Sequence, residues 1–343
     1  MSQTALYLDH AATTPLLPAA RDALLEGFAL WANPSSPHAA GRKARAALED
    51  ARAAIKAALG WQGEVIFTSG ASEALALAMS RCVQPVAAVS AVEHEAVLRH
   101  APEAMRLPVD ARGLVDPARC ALAGLVAVQQ VNNETGVIQP LGAIAAAVKS
   151  AGGLLLADAA QGVGKLELPQ ADLIALSAHK FGGPIGVGAL LVRDWAFLRP
   201  TGGQERGYRG GTENLPGVMA MVAALQAGRD WLDQAAQLRA RLESEILSAG
   251  GEVVAEDAPR LATIGAYRMP GKSANAQLIR FDGQGIAVSA GSACSSGSLR
   301  ISHVLEAMGT EGANEVIRVS IGRETTADDV DRFLTAWKDV AGR

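Results

Sequence analysis

Ser177-Ala178-His179-Lys180 closes an apolar run, residues 173–176, and is followed by Phe181-Gly182-Gly183-Pro184. A lysine so placed is either a surface residue on a turn or a reactive amine. Partly buried, it sheds its proton more readily and can condense with a carbonyl to a Schiff base. The glycines let backbone approach a ligand closely, and Ser177 and His179 are groups that bind phosphate. Asp158-Ala159-Ala160-Gln161 follows the apolar run 154–157 in the same manner. As plain structure this aspartate is a turn residue or a helix cap. As chemistry it is a carboxylate that keeps a proton on the ring nitrogen of an electron-sink cofactor, with Gln161 on a ring oxygen. His94, in Val92-Glu93-His94-Glu95, is a structural histidine or an imidazole that stacks on such a ring and relays protons. Asn132-Asn133-Glu134-Thr135-Gly136 is a turn, or a place where Asn133 meets substrate or the ring. Cys294 sits among Ser, Gly and Ala from Ser289 to Ser298, which reads as an exposed loop suited to a thiol that must travel and react.

The elements that must position these groups alternate. Helical spacing over 38–59 ends at Gly60. Residues 64–68 read as a strand running into Ser69-Gly70-Ala71-Ser72-Glu73 and a helix through Met79, the layout that aims backbone N–H groups at an anion. Strands are expected at 86–89, 122–128, 154–157, 173–176 and 187–192, with helices at 95–105 and 143–149. This is an α/β pattern with a largely parallel sheet, and Ser72, Asp158 and Lys180 all follow strand ends, the edge where such sheets bind ligands. Residues 202–211 read as a loop. After Trp231 the pattern changes to helix 235–247, strand 261–267, helix 274–281, strands 286–289 and 316–321, and a last helix capped by Thr326 with Val330, Phe333, Leu334, Trp337 and Val340 on its apolar face. That half reads as a smaller α+β domain.

The 343 residues carry a net charge of −4, with no long basic run, so nucleic acid is not an expected partner. No stretch approaches the ~18 apolar residues of a membrane span, and residues 1–9 lack the basic start and apolar core of a signal peptide. The expectation is a cytoplasmic protein. Three widely spaced cysteines, Cys82, Cys120 and Cys294, fit neither a disulfide framework nor a metal cluster.

Taken in order, these motifs resemble the cysteine desulfurases of the class V aminotransferase family. The likeness runs from Tyr7-Leu8-Asp9-His10-Ala11-Ala12-Thr13-Thr14-Pro15 to Arg318-Val319-Ser320-Ile321-Gly322-Arg323. Between them lie Asn33-Pro34-Ser35-Ser36, the 68–73 turn, Glu93-His94, Asn132 to Glu134, Asp158 to Gln161, Ser177 to Lys180, Gly202 to Arg206, Arg209 to Thr212, and the Cys294 run. The resemblance implies the fold type I of pyridoxal-phosphate enzymes, like aspartate aminotransferase: a large domain over 14–232 with a mixed, mostly parallel sheet, and a small domain of 1–13 and 233–343 carrying Cys294.

It further implies that Lys180 holds pyridoxal 5'-phosphate as a Schiff base, Asp158 pairs with the pyridine nitrogen, His94 stacks on the ring and Gln161 binds its oxygen. Ala71, Ser72, Ser177 and His179 would hold the phosphate, joined by Thr212 from a neighbouring subunit, so a homodimer is implied. Asn133 would serve cofactor and substrate, and Asn33 and Arg323 would join it on the substrate carboxylate. Lys180, His94 and Cys294 would be the catalytic groups. L-cysteine would become L-alanine, its sulfur left on Cys294 as a persulfide for a sulfur acceptor or an iron–sulfur scaffold protein. The chain is compact at 81–89 and short after its last helix, which puts docking of a scaffold through a longer tail in doubt. Selenocysteine lyase, another class V enzyme, or a sulfur carrier dependent on its acceptor are the alternatives.

Overall fold

The structure is a computed structural model and describes residues 5–291 and 301–342. The chain begins with β1 (Leu6–Tyr7), α1 (Pro18–Ala29), α2 (Ala39–Leu59), β2 (Glu64–Thr68), α3 (Ala71–Arg81), β3 (Val86–Ser90), α4 (Glu95–Leu98) and β4 (Met105–Leu107). It continues with β5 (Leu125–Ala127), α5 (Leu141–Ser150), β6 (Leu154–Asp158), β7 (Leu173–Ser177), β8 (Gly188–Val192) and α6 (Leu215–Gln226). Then come α7 (Leu232–Ser248), β9 (Glu252–Val253), β10 (Ile264–Arg268), α8 (Ala274–Gly283), β11 (Ile286–Ala287), α9 (His303–Ala307), β12 (Val316–Ser320) and α10 (Ala327–Ala341).

Seven strands form one sheet in the order β2-β8-β7-β6-β5-β3-β4. Its core is parallel, and β8 runs antiparallel to both β2 and β7. Strands β6, β7 and β8 are buried along their whole length, because helices cover both faces. The two-residue alternation sorts the side chains. Phe67, Val126, Leu155, Ile174 and Leu191 meet α2, α5 and α6, whereas Ile66, Leu125, Leu156, Leu173 and Leu190 meet α3 and α4.

The C-terminal half has its own core. Strands β12, β10 and β9 form an antiparallel sheet, and α7, α8 and α10 supply Leu238, Leu242, Phe281, Phe333 and Trp337. Phe281 and Phe333 stack with centroids 5.2 Å apart. The N-terminal residues belong to this core: β1 pairs in parallel with β11, and Leu6 and Leu8 are buried among the same side chains. Helix α10 starts with a reciprocal capping box between Thr326 and Asp329. No helix among the described residues is long and apolar enough to cross a membrane.

Three expectations need correction. The helix expected over 95–105 stops at Leu98, and 105–107 is instead the edge strand β4. Pro102 is the reason: it lacks an N–H, its ring clashes with a helical backbone, and it biases Ala101 toward extended conformation. The strand expected over 122–128 is paired only from Leu125, after Gly124. The strand expected from 261 starts at Ile264, since Leu261 N bonds Gly136 O across to another loop. Two helices carried no periodic signal. Helix α6 is apolar nearly all round because it lies between α1, α2 and the sheet. There α1 comes so close that a Cβ on Gly27 would lie 2.5 Å from Pro216 Cα.

Candidate active site

The carboxyl ends of β2, β3, β5, β6 and β7 open onto one cavity of about 510 Å³. Ala71, Ser72, His94, Asn133, Asp158, Gln161, Ser177, His179 and Lys180, nine of the expected site residues, line it.

Each is placed by its local chain. Gly70 adopts φ 149° and ψ 179°, a conformation essentially reserved for glycine. It turns the chain from β2 into α3 without a side-chain cap. The first-turn N–H groups of α3 thereby face the cavity beside Ser72 and the buried Ser177, which is a cradle for an anion. The same turn is braced from outside: Arg209 Nε donates to Glu73 Oε1 at 2.9 Å. The loop carrying Arg209 is pinned by the buried Glu205, which accepts from Arg52 Nη1 at 2.8 Å and Nη2 at 2.9 Å and from Phe67 N at 2.8 Å.

Asp158 ends β6 with its carboxylate buried, accepting from Ala160 N at 2.9 Å. Burial pushes its pKa up; the Ala160 bond and the charges of His94 and Lys180 oppose this. A buried carboxylate so placed calls for a cationic partner. His94 Nδ1 accepts from Ala96 N at 3.0 Å, so the neutral ring carries its proton on Nε2. Burial lowers the His94 pKa, and Asp158 pulls it back up. His179, its Nδ1 3.2 Å from Thr13 Oγ1, is held neutral with a pKa of about 4 by burial and by Lys180 and Lys165.

Lys180 lies in a tight turn after β7, half-buried, and its Nζ donates to Ala11 O at 2.7 Å and Ala12 O at 2.8 Å. Gln161 Nε2 donates to Ala11 O as well, at 2.9 Å, while its buried Oε1 has no hydrogen-bond partner among the described residues. Of the paired asparagines, Asn132 is consumed by the turn, accepting from Glu134 N and Thr135 N. Asn133 is the one that faces the cavity.

Three expected residues are not at this cavity. Asn33 and Thr212 are exposed, and neither lines it; Asn33 Oδ1 accepts from Ser35 N at 2.8 Å. Arg323 lines a smaller neighbouring cavity of about 30 Å³, paired with Asp230 at 3.2 Å and stacked 5.5 Å from the Trp231 ring centroid. Cys294 lies outside the described residues. The described chain before it ends at Gly291, which lines the main cavity. Beyond it, Ser302 Oγ donates to the buried Glu134 carboxylate at 2.5 Å and His303 Nε2 to Glu93 O at 2.9 Å.

Sequence reasoning missed Arg318 as a site residue. It sits in β12, 7% exposed, and its guanidinium lines the main cavity. Nη2 donates to Asp9 Oδ1 at 2.7 Å and Nη1 to Asn133 O at 3.0 Å, and Nε has no partner among the described residues. The available signal was an arginine flanked by Val316, Ile317 and Val319 in a strand.

The description "Aminotransferase class-V" matches residues 6–333. The chain belongs to the aminotransferase class-V family. Within it, the chain is 38% identical to a cysteine desulfurase of Gluconacetobacter diazotrophicus over 99% of its own length and 94% of that protein's. It is 37% identical to an IscS-like cysteine desulfurase of Mycobacterium tuberculosis, covering 98% and 96%. Among solved structures, a NifS-like protein from Rickettsia africae superposes with a TM-score of 0.91 at 28% identity, over 99% of this chain and 100% of that one. A second, titled SspA in complex with cysteine, gives 0.79 at 28% identity over 93% and 99%.

Proposed function

We propose that this chain is a cysteine desulfurase that uses pyridoxal 5'-phosphate, works on L-cysteine and leaves the sulfur on Cys294. The observation that carries the reading is the union, in one cavity, of a lysine amine, a buried carboxylate, an imidazole, an open helix N-terminus and an arginine. The site fits the cofactor: a pyridinium would be a cationic partner for the buried Asp158 carboxylate, the turn 69–73 offers N–H groups for a phosphate, and the buried Gln161 Oε1 has no hydrogen-bond partner among the described residues. The likeness to a structure titled as a cysteine complex supports the substrate.

Bound there, the cofactor would supply an electron sink for the substrate α-carbon. Ser72, Ser177 and the first turn of α3 would hold its phosphate. Asp158 would keep the proton on the ring nitrogen, His94 would stack on the ring, and Lys180 Nζ would serve first as anchor and then as the base for the α-proton. Arg318, oriented by Asp9, takes the substrate carboxylate in place of Arg323, because a guanidinium fork matches a carboxylate. The Cys294 thiolate attacks the substrate sulfur: an S–S bond forms, the C–S bond breaks, and its electron pair returns to the carbon that becomes alanine. Cys82 and Cys120 do not compete, because both are buried with raised pKa values, about 11 for Cys120.

The working unit is a homodimer, organised as one unit over 14–232 and another from 1–13 with 233–343. Asn33 and Thr212 are exposed and do not line their own cavity. The exposed apolar residues Leu25, Phe28, Trp31 and Ile185 offer surface for a second copy. The persulfide would pass to a sulfur acceptor or iron–sulfur scaffold protein. The test is alanine and sulfide release from L-cysteine with a reductant: equal amounts of both from the wild type support the reading, and no alanine refutes it.

A further inference from the structure

Behind Lys180, in the smaller cavity, lies a second lysine. Lys165 is 8% exposed, and its Nζ donates to Gln161 O at 3.1 Å and to Lys180 O at 2.9 Å. One amine therefore ties the loop after β6 to the loop after β7, the two segments that carry Asp158, Gln161 and Lys180. The ionisable groups lining this cavity are Lys165, Lys180, His10 and Arg323, and no carboxylate is among them. His179, in the adjoining turn, also feels the Lys165 charge. Arg323 is turned onto Asp230 and the Ala227 and Gly228 carbonyls. His10 is buried and neutral, its pKa lowered to about 4 by burial with a contribution from Lys165.

A lysine buried without a carboxylate is costly, and a methionine would fill the same space without the desolvation. Burial and, after it, the Lys180 charge bring the Lys165 pKa down to about 7. Its charge is thus present below neutral pH and fades above it. Two amines that line one cavity and feel each other's charge oppose each other's protonation, a way of keeping a Schiff-base lysine deprotonated.

We infer that Lys165 is a positioning residue for Lys180: it fixes the Lys180 and Gln161 backbones and, as a neighbouring cation, lowers the proton affinity of the Lys180 nitrogen. The inference rests on the assignment of Lys180 as the cofactor lysine. Its readout is the pH midpoint of the visible band of the Lys180 Schiff base, recorded by absorbance on the full-length holoprotein.

Lys165→Met removes the amine. Lys165→Gln removes the charge but keeps an N–H donor for the two carbonyls, and serves where the methionine variant does not fold. In both, the midpoint is expected to rise by about one unit, the size of a single near-charge effect. Lys165→Arg keeps a cation at every working pH and should hold the midpoint at the wild-type value or below it. A merely structural role would lower melting temperature without moving the midpoint. Identical midpoints in the wild type and the two neutral variants overturn the inference and leave the cofactor assignment intact. A wild type with no such band overturns that assignment, and the inference with it.

Discussion

Arg318 and Asp9, both lining the main cavity, form a part-buried ion pair, Nη2 to Oδ1 at 2.7 Å, joining the N-terminal segment to β12. Asp9 uses one edge of the guanidinium and the Asn133 carbonyl another, so the arginine is held at a fixed angle before any substrate arrives. Arg318→Ala is expected to raise KM for L-cysteine on the order of tenfold to a hundredfold, the loss of a charge-assisted hydrogen bond. Arg323→Ala should change KM by less than about twofold, because its ion pair is with Asp230, whose side chain is 87% exposed. Steady-state kinetics on the two variants decide between them; a larger KM effect at Arg323 would return the carboxylate to that residue.

Lys180→Ala should abolish the visible band and lower turnover by a factor on the order of 10⁴, as for other variants lacking a reacting group. Cys294→Ala should keep the band and lose sulfide release. Alkylation at mildly basic pH followed by peptide mapping should label Cys294 and spare Cys82 and Cys120, both buried with raised pKa values. Labelling of Cys120 at a comparable rate would contradict the burial that sets its pKa.

Asp158→Asn separates stability from function. Burial raises the Asp158 pKa, so the folded state binds this proton more tightly than the unfolded chain. The stabilisation is full below the ordinary carboxylate range and is lost as pH rises through the raised value. At mildly basic pH the cofactor-free variant should therefore melt higher than wild type, by roughly 2–4 °C per kcal/mol relieved. Toward about pH 4 the gain should vanish, since a protonated carboxyl is as neutral as an amide. With cofactor present the same change should slow α-proton exchange, followed by deuterium uptake into the substrate.

The Arg52–Glu205 pair anchors the loop that braces the phosphate turn. Arg52→Ala leaves the Glu205 carboxylate buried and without its bidentate partner, which costs about 3–5 kcal/mol. Part of that loss should return in the double variant Arg52→Ala, Glu205→Gln. Thermal melts measure both, and a fall in pyridoxal-phosphate affinity should accompany the single change.

Much of this site was legible because each polar residue of interest follows a buried apolar strand. Asp158 after 154–157 and Lys180 after 173–177 need only the strand pattern to be placed on one edge. Arg318 was hidden because it lies within a strand, where alternation marks a face without showing what that face meets. Arg323, at the end of the same motif, drew the assignment instead. Lys165 was passed over because Gly162-Val163-Gly164-Lys165 has the composition of a surface loop, and its burial arises from packing against segments distant in the chain. Helix α6 escaped because a helix buried on several sides has no polar face to give it a period.

The pairing of β1 with β11 sets an order of events during synthesis. Ala11, whose carbonyl receives both Lys180 and Gln161, is itself held by the Ser320 hydroxyl, 309 positions later. Residues 5–13 leave the ribosome before the seven-stranded sheet and find their partners after it. The seven-stranded sheet can assemble while the chain is still emerging, since all its strands lie within 64–192. The wall that holds the lysine amine cannot, because closing so long a loop waits for β11 and β12. A nascent chain stalled before residue 286 would have the strands of its large sheet in place and yet be unable to present a finished pocket, so cofactor loading becomes a report that translation has passed β12.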